Sequence, residues 1–465
     1  MALRACRVEP RAGRGLGVVA ERPLAFGDVV CVAPALVSGD RGGAAPETMG
    51  ATLRAIVSAQ LDDATEAEAG RLLQACFAFC GIPDEAPSED DFDAILRDLP
   101  TDAALRTLAE RGVGCGVDLQ LLSAKLAQNG FAEGVYPDAC RFNHACLPNC
   151  LFFTRAPAHA AVASAPRELV VVAAEPIEVG DELTISYLPE ALWHLPTDQR
   201  RVLLGRQYGF VCTCRRCHRP AQPAAVRRAE RNLEAMACAE CARAVLPAKA
   251  HWLLAPDEAA GAEFGGGHGG HVPLDEHESV AGERGGGYAP CAACGASGSE
   301  QALDAALVTC HRLVGASARV AAGGTLQHTR EELCQLRELL DGEGRALSPT
   351  HWLACEVRWR LQAASAALLA HGAAGGADRL ELLRTHAEQS LALVDCLQPI
   401  VPGRSHLLSA VYERAADALH ALAQAAPSDA GDIRRRAREL HAAARPVLEL
   451  VSLSDCGLAS NSIVN

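Results

Sequence analysis

The spacing of the cysteines constrains this chain more than any other feature of its sequence. Seven of the 20 cysteines stand in three tight groups, which are Cys212-Thr213-Cys214-Arg215-Arg216-Cys217, Cys238-Ala239-Glu240-Cys241 and Cys291-Ala292-Ala293-Cys294. Cysteines two or three positions apart hold two thiolates at the separation that a tetrahedral Zn²⁺ ion requires. Residues 1–8 have too few apolar side chains for a secretory signal, and reducing compartments keep thiols free. We therefore expect metal ligands rather than disulfides in these groups.

The scattered cysteines form a different class. Residues such as Cys31 and Cys355 lie among apolar neighbours, where a free cysteine behaves as a small hydrophobic side chain. Thiols used in this way are typical of a reducing compartment. We therefore expect the protein in the cytoplasm, the nucleus or both.

Length and charge limit the fold and the kind of partner. The chain has 465 residues, which predicts two to four modules, and its 49% hydrophobic and 22% charged residues are typical of a globular protein. The net charge of −14 argues against binding nucleic acid by broad phosphate neutralisation and favours a basic partner such as a Lys-rich tail. No apolar run approaches the roughly 20 residues of a membrane-spanning helix, so we expect no membrane insertion.

Strand patterns occupy two parts of the N-terminal half. Residues 14–20 and 29–32 predict two strands joined by a turn around Pro23 and Gly27. Further strands are predicted at 151–153, 169–172 and 182–187. Apolar residues at helical spacing between 47 and 128 predict a helical insert. A helix is expected from Thr197 or Asp198, either of which can cap it, to Gln207.

The last third of the chain, from Glu300 onward, has the apolar periodicity of helices. One apolar stripe comprises Leu353, Val357, Leu361 and Leu368, and a second comprises Leu407, Val411, Ala415, Leu419 and Leu422. Another helix is expected at 434–450, with breaks at 372–376, 399–403 and 427–431. Helices with short breaks favour stacked antiparallel pairs, as in helical-repeat arrays. Since no repeat consensus is legible, an irregular helical bundle remains an alternative.

The two C-x-x-C pairs are far apart in sequence. The 49 residues between Cys241 and Cys291 exceed the spacing of about 15–20 that is usual in zinc ribbons. Residues 256–290 are Gly-rich and predict a loop or linker, whose histidines are better explained as solvated than as ligands. We expect a second zinc site at Cys238, Cys241, Cys291 and Cys294, with free thiols on a flexible segment as the alternative.

Two further segments carry polar residues that a plain strand or helix does not need. They are Asn143-His144-Ala145-Cys146-Leu147-Pro148-Asn149 and Gly180-Asp181-Glu182-Leu183-Thr184-Ile185-Ser186-Tyr187. A tyrosine that ends an amphipathic strand can present its hydroxyl to a pocket while its ring packs. Each segment alone has an ordinary interpretation, as a local turn or an interface tyrosine. Both together, followed by a cysteine group, indicate a functional site.

These segments resemble the N-H-S-C-x-P-N and G-E-E-L-x-I-S-Y motifs of SET-domain protein methyltransferases, specifically of the SET-and-MYND (SMYD) branch. Residues 208–217 resemble the post-SET signature Y-x-F-x-C-x-C-x-x-C, Gly15-Leu16-Gly17 resembles the GxG of the first SET strand, and Asn129-Gly130-Phe131 is similar to N-x-F. The resemblance covers about residues 11–217. It implies an α+β chain: a β-rich SET fold in which the Asn143 and Tyr187 segments are threaded through one another, and a helical, TPR-like C-terminal domain.

The resemblance implies a protein-lysine N-methyltransferase that uses S-adenosyl-L-methionine. Tyr187 would be the catalytic tyrosine that orients the substrate amine, and Tyr208 would line the lysine channel. The cofactor would lie against Gly15, Leu16, Gly17, Asn129, Asn143, His144, Tyr187 and Phe210, with Phe210 stacked on the adenine. We expect a monomer that acts on a histone or another lysine-bearing protein. The alternatives are a catalytically silent SET scaffold and a zinc-dependent nucleic-acid binder, which the negative charge disfavours.

The post-SET group supplies three zinc ligands, Cys212, Cys214 and Cys217, and a closed structural site needs a fourth. The resemblance implies that Cys146 is the fourth ligand, with His218 as its competitor. The sequence departs from the SMYD pattern where the seven-Cys, one-His MYND finger should interrupt the SET domain. That interval offers only Cys76, Cys80 and Cys115, so we expect no MYND module. Ala145 replaces the motif serine.

These interpretations divide the chain into five parts. They are the N-terminal part of the SET domain (1–46), a helical insert within it (47–128), the SET core (129–205), the post-SET region with the second zinc module and Gly-rich loop (206–295), and a C-terminal helical domain (300–465).

Overall fold

The computed structural model describes the chain in several ranges. They are residues 5–35, 37–38, 129, 131, 134–155, 167–218, 223–238, 240–241, 243–245, 291, 293–296, 326–342, 347–372, 376–401, 404–426 and 430–452. The predicted helical insert with Cys76, Cys80 and Cys115, and the Gly-rich stretch 256–290, lie outside the described residues. No helix within the described ranges is long and apolar enough to cross a membrane.

The strands of the described part form four small sheets. The strands are β1 (Cys6–Arg11), β2 (Gly15–Ala20), β3 (Val29–Pro34), β4 (Val37–Ser38), β5 (Gly134–Val135), β6 (Asn143–His144), β7 (Cys150–Arg155), β8 (Glu168–Ala173), β9 (Glu182–Ile185), β10 (Met236–Ala237) and β11 (Ala244–Val245). One sheet has the order β1-β2-β9-β6 and another the order β3-β8-β7, while β4 pairs with β5 and β10 with β11.

The predicted strands are present, but β2 and β3 belong to different sheets. β2 lies antiparallel to β1 and β9, whereas β3 lies antiparallel to β8. β1 was not predicted, because its Arg7, Glu9 and Arg11 give it little apolar character. It is an edge strand with mostly exposed or half-buried side chains, a position that tolerates charge and the Pro10 it contains.

Seven α-helices follow in the described part. They are α1 (Thr197–Tyr208), α2 (Ala224–Asn232), α3 (Leu326–Asp341), α4 (Trp352–Ala370), α5 (Gly376–Leu397), α6 (His406–Ala425) and α7 (Ala430–Ser452). Two short 3₁₀ segments lie at Ala139–Arg141 and Glu190–Leu192. The sequence reasoning missed α2, a short helix with few apolar residues.

Helix α1 begins near the predicted residue, but the predicted cap is wrong. Pro196 occupies the N-cap position, and no side chain caps the helix. The Thr197 hydroxyl donates instead to Glu230 Oε2 at 2.8 Å, so the Thr197 side chain is hydrogen-bonded to a carboxylate on α2 rather than to the N-terminus of α1. The helix ends at Gly209, whose φ of +75° is the left-handed conformation that glycine adopts most readily.

The C-terminal helices confirm the predicted periodicity and breaks. The side chains of the first stripe are buried on α4, and those of the second are buried or half-buried on α6. Each helix from α3 to α7 packs against the next one along the chain. Ser405 caps α6 by accepting a hydrogen bond from the backbone N–H of Leu408, at 3.1 Å. Sequential packing of this kind agrees with stacked helix pairs.

One hydrophobic core joins the cysteine-rich segment to these helices. It contains buried residues that follow the SET strands, such as Trp193 and Leu204, and residues of α5 and α6, such as Leu393 and Leu408. The partly buried rings of Tyr187, Tyr208 and Phe210 pack against the same core, as do buried Cys146 and the post-SET cysteines. The helical region therefore supports the underside of the candidate site directly.

Candidate active site and metal centres

The two polar segments of the sequence meet along a short parallel strand pair. Asn143 lies opposite Thr184, and His144 lies opposite Ile185. Just beyond the pair, the backbone N–H of Ala145 donates to the carbonyl of Ile185 at 2.9 Å. β9 also pairs with β2, so the GxG segment, the Asn143 segment and the Tyr187 segment converge on one sheet. This convergence is the feature that the motif resemblance implied.

Glu182 organises the edge of this sheet. Its Oε1 accepts a hydrogen bond from Asn143 Nδ2 at 2.8 Å, and its Oε2 accepts one from Arg14 Nη1 at 3.1 Å. Asn143 Nδ2 also donates to the Leu16 carbonyl at 3.1 Å. Gly17 is tightly enclosed, since an added Cβ would lie 2.7 Å from Glu182 Oε1 and 2.9 Å from Asn143 Nδ2. A side chain at position 17 would therefore displace the Glu182 and Asn143 side chains from their hydrogen bond.

The hydroxyl of Tyr187 is held in one direction. It donates to the backbone carbonyl of Phe142 at 2.9 Å, while the Tyr187 backbone N–H donates to His144 Nδ1 at 2.9 Å. Because Nδ1 of His144 accepts this bond, the neutral ring carries its proton on Nε2, which lies 3.2 Å from Cys146 Sγ. His144 therefore connects the tyrosine to a cysteine of the first metal cluster.

The rings of Tyr187, Tyr208 and Phe210 form one aromatic group. The ring centroids of Tyr187 and Tyr208 are 4.9 Å apart, and those of Tyr187 and Phe210 are 6.3 Å apart at an interplanar angle of 88°. The Tyr208 hydroxyl donates to the backbone carbonyl of Tyr187 at 3.3 Å. Rings in this arrangement present electron-rich faces, which attract cations. The group fits a sulfonium centre.

Burial sets the protonation of these groups. It raises the pKa of Tyr187 well above that of a free tyrosine and raises the pKa of Tyr208 to about 12. Burial also lowers the pKa of His144 to about 4. At neutral pH both tyrosines are therefore phenols and His144 is a neutral imidazole. The tyrosine hydroxyls can donate and accept hydrogen bonds but carry no negative charge.

The remaining predicted cofactor residues lie around the same strands. Gly15 begins β2 with a φ of +66°, which favours glycine, and Leu16 is 45% exposed. The backbone carbonyl of Asn129 accepts a hydrogen bond from the Cys140 thiol at 2.9 Å. The roles assigned to these residues remain predictions.

The first metal cluster brings together the four predicted cysteines. The Sγ atoms of Cys146, Cys212, Cys214 and Cys217 all lie within 4.8 Å of one another, and all four residues are buried. Four sulfurs at this spacing fit a closed tetrahedral zinc site. His218, the competing ligand, is exposed and lies outside this group of sulfurs. The backbone N–H of Cys146 also donates to Cys214 Sγ at 3.4 Å.

A buried ionic cluster adjoins these sulfurs. Arg200 and Arg216 are both fully buried, and Glu230 is 8% exposed. Glu230 Oε1 lies 2.5 Å from Arg216 Nε and 3.2 Å from Arg200 Nη1. Arg200 also donates from Nη2 to Cys217 Sγ at 3.4 Å and from Nη1 to the Leu195 carbonyl. The cluster therefore connects α1, α2 and the cysteine knuckle.

The second metal cluster unites the two distant C-x-x-C pairs. The Sγ atoms of Cys238, Cys241, Cys291 and Cys294 lie within 4.8 Å of one another, so the long spacing does not prevent assembly. The β10–β11 hairpin shapes the first knuckle, where the N–H of Cys238 donates to the Arg243 carbonyl at 2.7 Å. In the second knuckle Gly295, with a φ of +72°, donates to the Cys291 carbonyl. These four sulfurs also fit tetrahedral zinc.

The two clusters differ in exposure. All members of the first are buried, whereas Cys294 is exposed and Cys241 half-buried in the second. In the first cluster the Arg200 guanidinium donates a hydrogen bond to Cys217 Sγ. In the second cluster the thiols of Cys241, Cys291 and Cys294 form hydrogen bonds mainly with backbone N–H groups and with one another.

The sequence reasoning missed the charged residues of both sites. Glu182 stood inside a quoted motif, but nothing in the sequence pairs it with Arg14, which lies 168 positions away. Arg200, Arg216 and Glu230 lie in polar stretches that are typical of exposed helix faces. A signal was available only for Arg216, which lies between two zinc ligands of the C-x-C-x-x-C group.

Comparisons with known proteins agree with the geometry. The family model described as "SET domain" matches residues 15–188. Over 84 residues, or 18% of this chain and 17% of the relative, the chain is 38% identical to human "Histone-lysine N-methyltransferase SMYD3". Mouse "Histone-lysine N-methyltransferase Smyd1" is 35% identical over 101 residues, which are 21% of this chain and 20% of the relative. "Histone-lysine N-methyltransferase ASHR2" of Arabidopsis thaliana is 31% identical over 86 residues, 18% of this chain and 20% of the relative.

The matches to these relatives are short. Each covers no more than 20% of the relative's own length, so the relatives' activities do not transfer to this chain directly. The crystal structure of the SET domain of LSMT bound to lysine and AdoHcy also matches, covering 97% of this chain and 86% of that chain. It is 11% identical with a TM-score of 0.29, a similarity too low to support an argument.

Proposed function

We propose that this SMYD-like SET-domain protein is a protein-lysine N-methyltransferase that uses S-adenosyl-L-methionine. The observation that carries the proposal is the Tyr187 hydroxyl, which is fixed by its hydrogen bond to the Phe142 carbonyl, on a ring that packs beside the rings of Tyr208 and Phe210. A neutral phenol beside a main-chain carbonyl can orient a primary amine, and the surrounding rings suit a cationic donor.

The chain's own residues would act mainly by positioning. When bound, S-adenosylmethionine supplies the methyl group. Gly17, Asn143 and Glu182 shape the edge of its site, and Phe210 would stack on the adenine. The Tyr187 hydroxyl and the Phe142 carbonyl would hold the lysine nitrogen, while Tyr208 limits its approach. Burial among aromatic rings lowers the pKa of the lysine, so the amine loses its proton before transfer.

Zinc would stabilise the site by connecting two of the segments that form it. Zinc in the first cluster would tie Cys146, which follows His144, to the segment after Phe210. Both segments contribute to the aromatic group, so the metal would fix their separation. The second cluster would hold another structural zinc farther along the chain.

The proposed substrate is a lysine-bearing protein, either a histone or a non-histone protein. The net charge of −14 supports a basic partner, because opposite charge speeds encounter between proteins. We also propose that the protein is a monomer. Its many free thiols support a location in the cytoplasm, the nucleus or both, because these compartments are reducing.

The test is transfer of labelled methyl groups from S-adenosylmethionine to a lysate and a lysine-peptide array. We expect label on protein lysines with the wild type, and a loss of about 100-fold or more with Tyr187→Phe, as for removal of a group that acts in the transition state. Tyr412→Phe, which removes a buried hydroxyl from α6, is the matched control and should keep its activity.

Two results would count against the proposal. Undiminished transfer by a folded Tyr187→Phe variant would show that Tyr187 is not the catalytic tyrosine. Thermal stabilisation of the wild type by S-adenosylmethionine, without transfer to any protein or peptide, would favour the silent SET scaffold.

A further inference from the structure

The buried ionic cluster beside the first metal site has an unbalanced charge. Arg200 and Arg216 each carry a positive charge at all relevant pH values, and Glu230 supplies one negative charge. The three side chains therefore leave one positive charge in the protein interior. An uncompensated buried charge is strongly unfavourable, so a further anion is required nearby.

The distances show how one carboxylate is shared between the two arginines. Glu230 Oε1 lies 2.5 Å from Arg216 Nε, a short charge-assisted contact, but its distances to Arg200 are 3.2 Å or more. Glu230 thus makes one short contact with Arg216 and three longer contacts with Arg200, so its single negative charge is shared by both guanidinium groups. Arg200 directs Nη2 toward Cys217 Sγ at 3.4 Å. Besides Glu230, Arg200 therefore contacts a cysteine sulfur, which is an anion when it binds zinc.

A zinc ion bound by four thiolates carries a net charge of −2, so the metal site and the ionic cluster have opposite charges. We propose that Arg200 is the counter-ion and N–H donor of the post-SET zinc site, and that its charge keeps zinc bound there. Arg216 and Glu230 together are neutral, and Thr197 and the Leu195 carbonyl also hold Arg200 in place. This inference rests on the zinc binding proposed above and assigns a role in metal retention to residues outside the four ligands.

The position of Arg200 explains why the interaction is effective. Arg200 lies on α1, which precedes Phe210, and Nη2 also contacts Thr197 Oγ1 at 3.1 Å. The adjacent Arg201 donates to the carbonyls of Cys212 and Cys217 at 3.1 and 3.3 Å. Two arginines of α1 therefore bind the cysteine knuckle, Arg201 through two backbone carbonyls of the knuckle and Arg200 through one of its sulfurs. Hydrogen bonds to metal ligands of this kind orient the ligand and lower its tendency to leave the metal.

The test is zinc release from the full chain to a chromophoric chelator at pH 7.5. The chain carries Cys291→Ser and Cys294→Ser, which leave the second cluster only two thiolates, so that the zinc followed is that of the first cluster. We expect Arg200→Met to release zinc about 10–100-fold faster than the parent, the usual cost of removing a partner of a metal ligand. Arg215→Met is the matched control, because the neighbouring Arg215 pairs with Glu175 at the surface, and it should match the parent.

A double variant separates charge from packing. Arg216→Met with Glu230→Gln removes one charge of each sign and leaves Arg200 as the excess charge, so zinc release should stay within about threefold of the parent. Circular dichroism establishes that each zinc-loaded variant is folded. If Arg200→Met does not fold, Arg200→Gln, which keeps an N–H donor without the charge, replaces it and should also release zinc faster than Arg215→Met.

The failures of the two proposals can be told apart. A parent chain that binds no zinc would refute the metal site itself. A parent that binds zinc, together with a folded Arg200→Met or Arg200→Gln variant that releases it no faster than Arg215→Met, would overturn the role of Arg200 alone.

Discussion

The two cysteine clusters have the same four donors but very different surroundings. The first is buried in the core shared by the SET segments and the C-terminal helices, and it contacts His144 and Arg200. The second is built from two knuckles, includes the exposed Cys294, and is held mainly by backbone hydrogen bonds. The difference teaches that ligand identity alone does not define what a metal site does. We expect the first cluster to determine activity and the second to affect only local stability.

The strongest test of this comparison is to remove one ligand from each cluster. Cys212→Ser should abolish methyl transfer and lower the free energy of unfolding by about 4 kcal/mol or more, because it removes a metal ligand inside the main core. Cys241→Ser should cost about 2 kcal/mol or less and leave methyl transfer within about threefold of the wild type. Chemical denaturation and methyl-transfer rates measure both effects, and equal losses would refute the comparison.

A second test changes a residue of the proposed cofactor site while the ligands of both clusters stay intact. Glu182→Gln should weaken the contacts to Arg14 and Asn143 and raise the KM for S-adenosylmethionine about tenfold, equivalent to about 1.4 kcal/mol. The kcat and the zinc content should change little. Glu9→Gln is the control, since Glu9 pairs with Arg7 and Arg11 along the edge strand. A loss of zinc in Glu182→Gln would show that the cofactor edge and the metal are not separate.

A third test compares the reactivity of thiols in the zinc-loaded protein. With limiting iodoacetamide, exposed Cys334 should react first, Cys294 next and buried Cys217 last, because alkylation needs access and a free thiolate. Peptide mass spectrometry follows the order. Modification of Cys217 before Cys294 would contradict the proposed difference between the clusters.

The smallest effect concerns the support of the second cluster. His351 lies in a segment that contacts the residues before Cys238, since Trp352 N–H donates to the Leu233 carbonyl at 3.0 Å and Leu347 pairs with Met236. Burial lowers the pKa of His351 to about 3, whereas an unfolded histidine titrates near 6.5. Its contribution to stability is therefore present above about pH 6.5 and declines as the pH falls toward 3.

His351→Asn retains a side-chain acceptor for the Leu353 N–H and removes this titration. Between pH 6 and pH 5, the free energy of unfolding should fall less steeply in the variant than in the wild type, by up to about 1.4 kcal/mol per pH unit. Denaturant titrations at several pH values give the slopes. Parallel slopes for the two proteins would show that His351 is not the group responsible.

Much of the fold could be predicted because it depends on local patterns. Period-two alternation located β7, β8 and β9, and apolar stripes located the C-terminal helices with their breaks. The three post-SET ligands followed from close spacing, and Cys146 followed from the family resemblance. These features are local because backbone geometry fixes which neighbours share a face.

The missed features depend on long-range electrostatics. Thr197 or Asp198 was predicted to cap α1, but neither does, and the Thr197 hydroxyl donates to Glu230, which lies 33 positions away. Arg200 and Arg216 would be expected at the surface from their charge, and only the tertiary structure reveals the carboxylate and the sulfur that they meet. Edge strand β1 was missed because its charged residues hide the strand pattern.

The distance in sequence between the two knuckles of the second cluster has a thermodynamic consequence. Zinc bound there closes a loop of about 50 residues, as a covalent cross-link would, and restricts the unfolded chain by about 4 kcal/mol on the polymer estimate for a loop of that size. The cost of closing a loop rises only with the logarithm of its length, so doubling the segment would change this balance by only about 0.6 kcal/mol. The segment that follows the β10–β11 hairpin, residues 246–290, can therefore lengthen or shorten during evolution with little effect on the metal site.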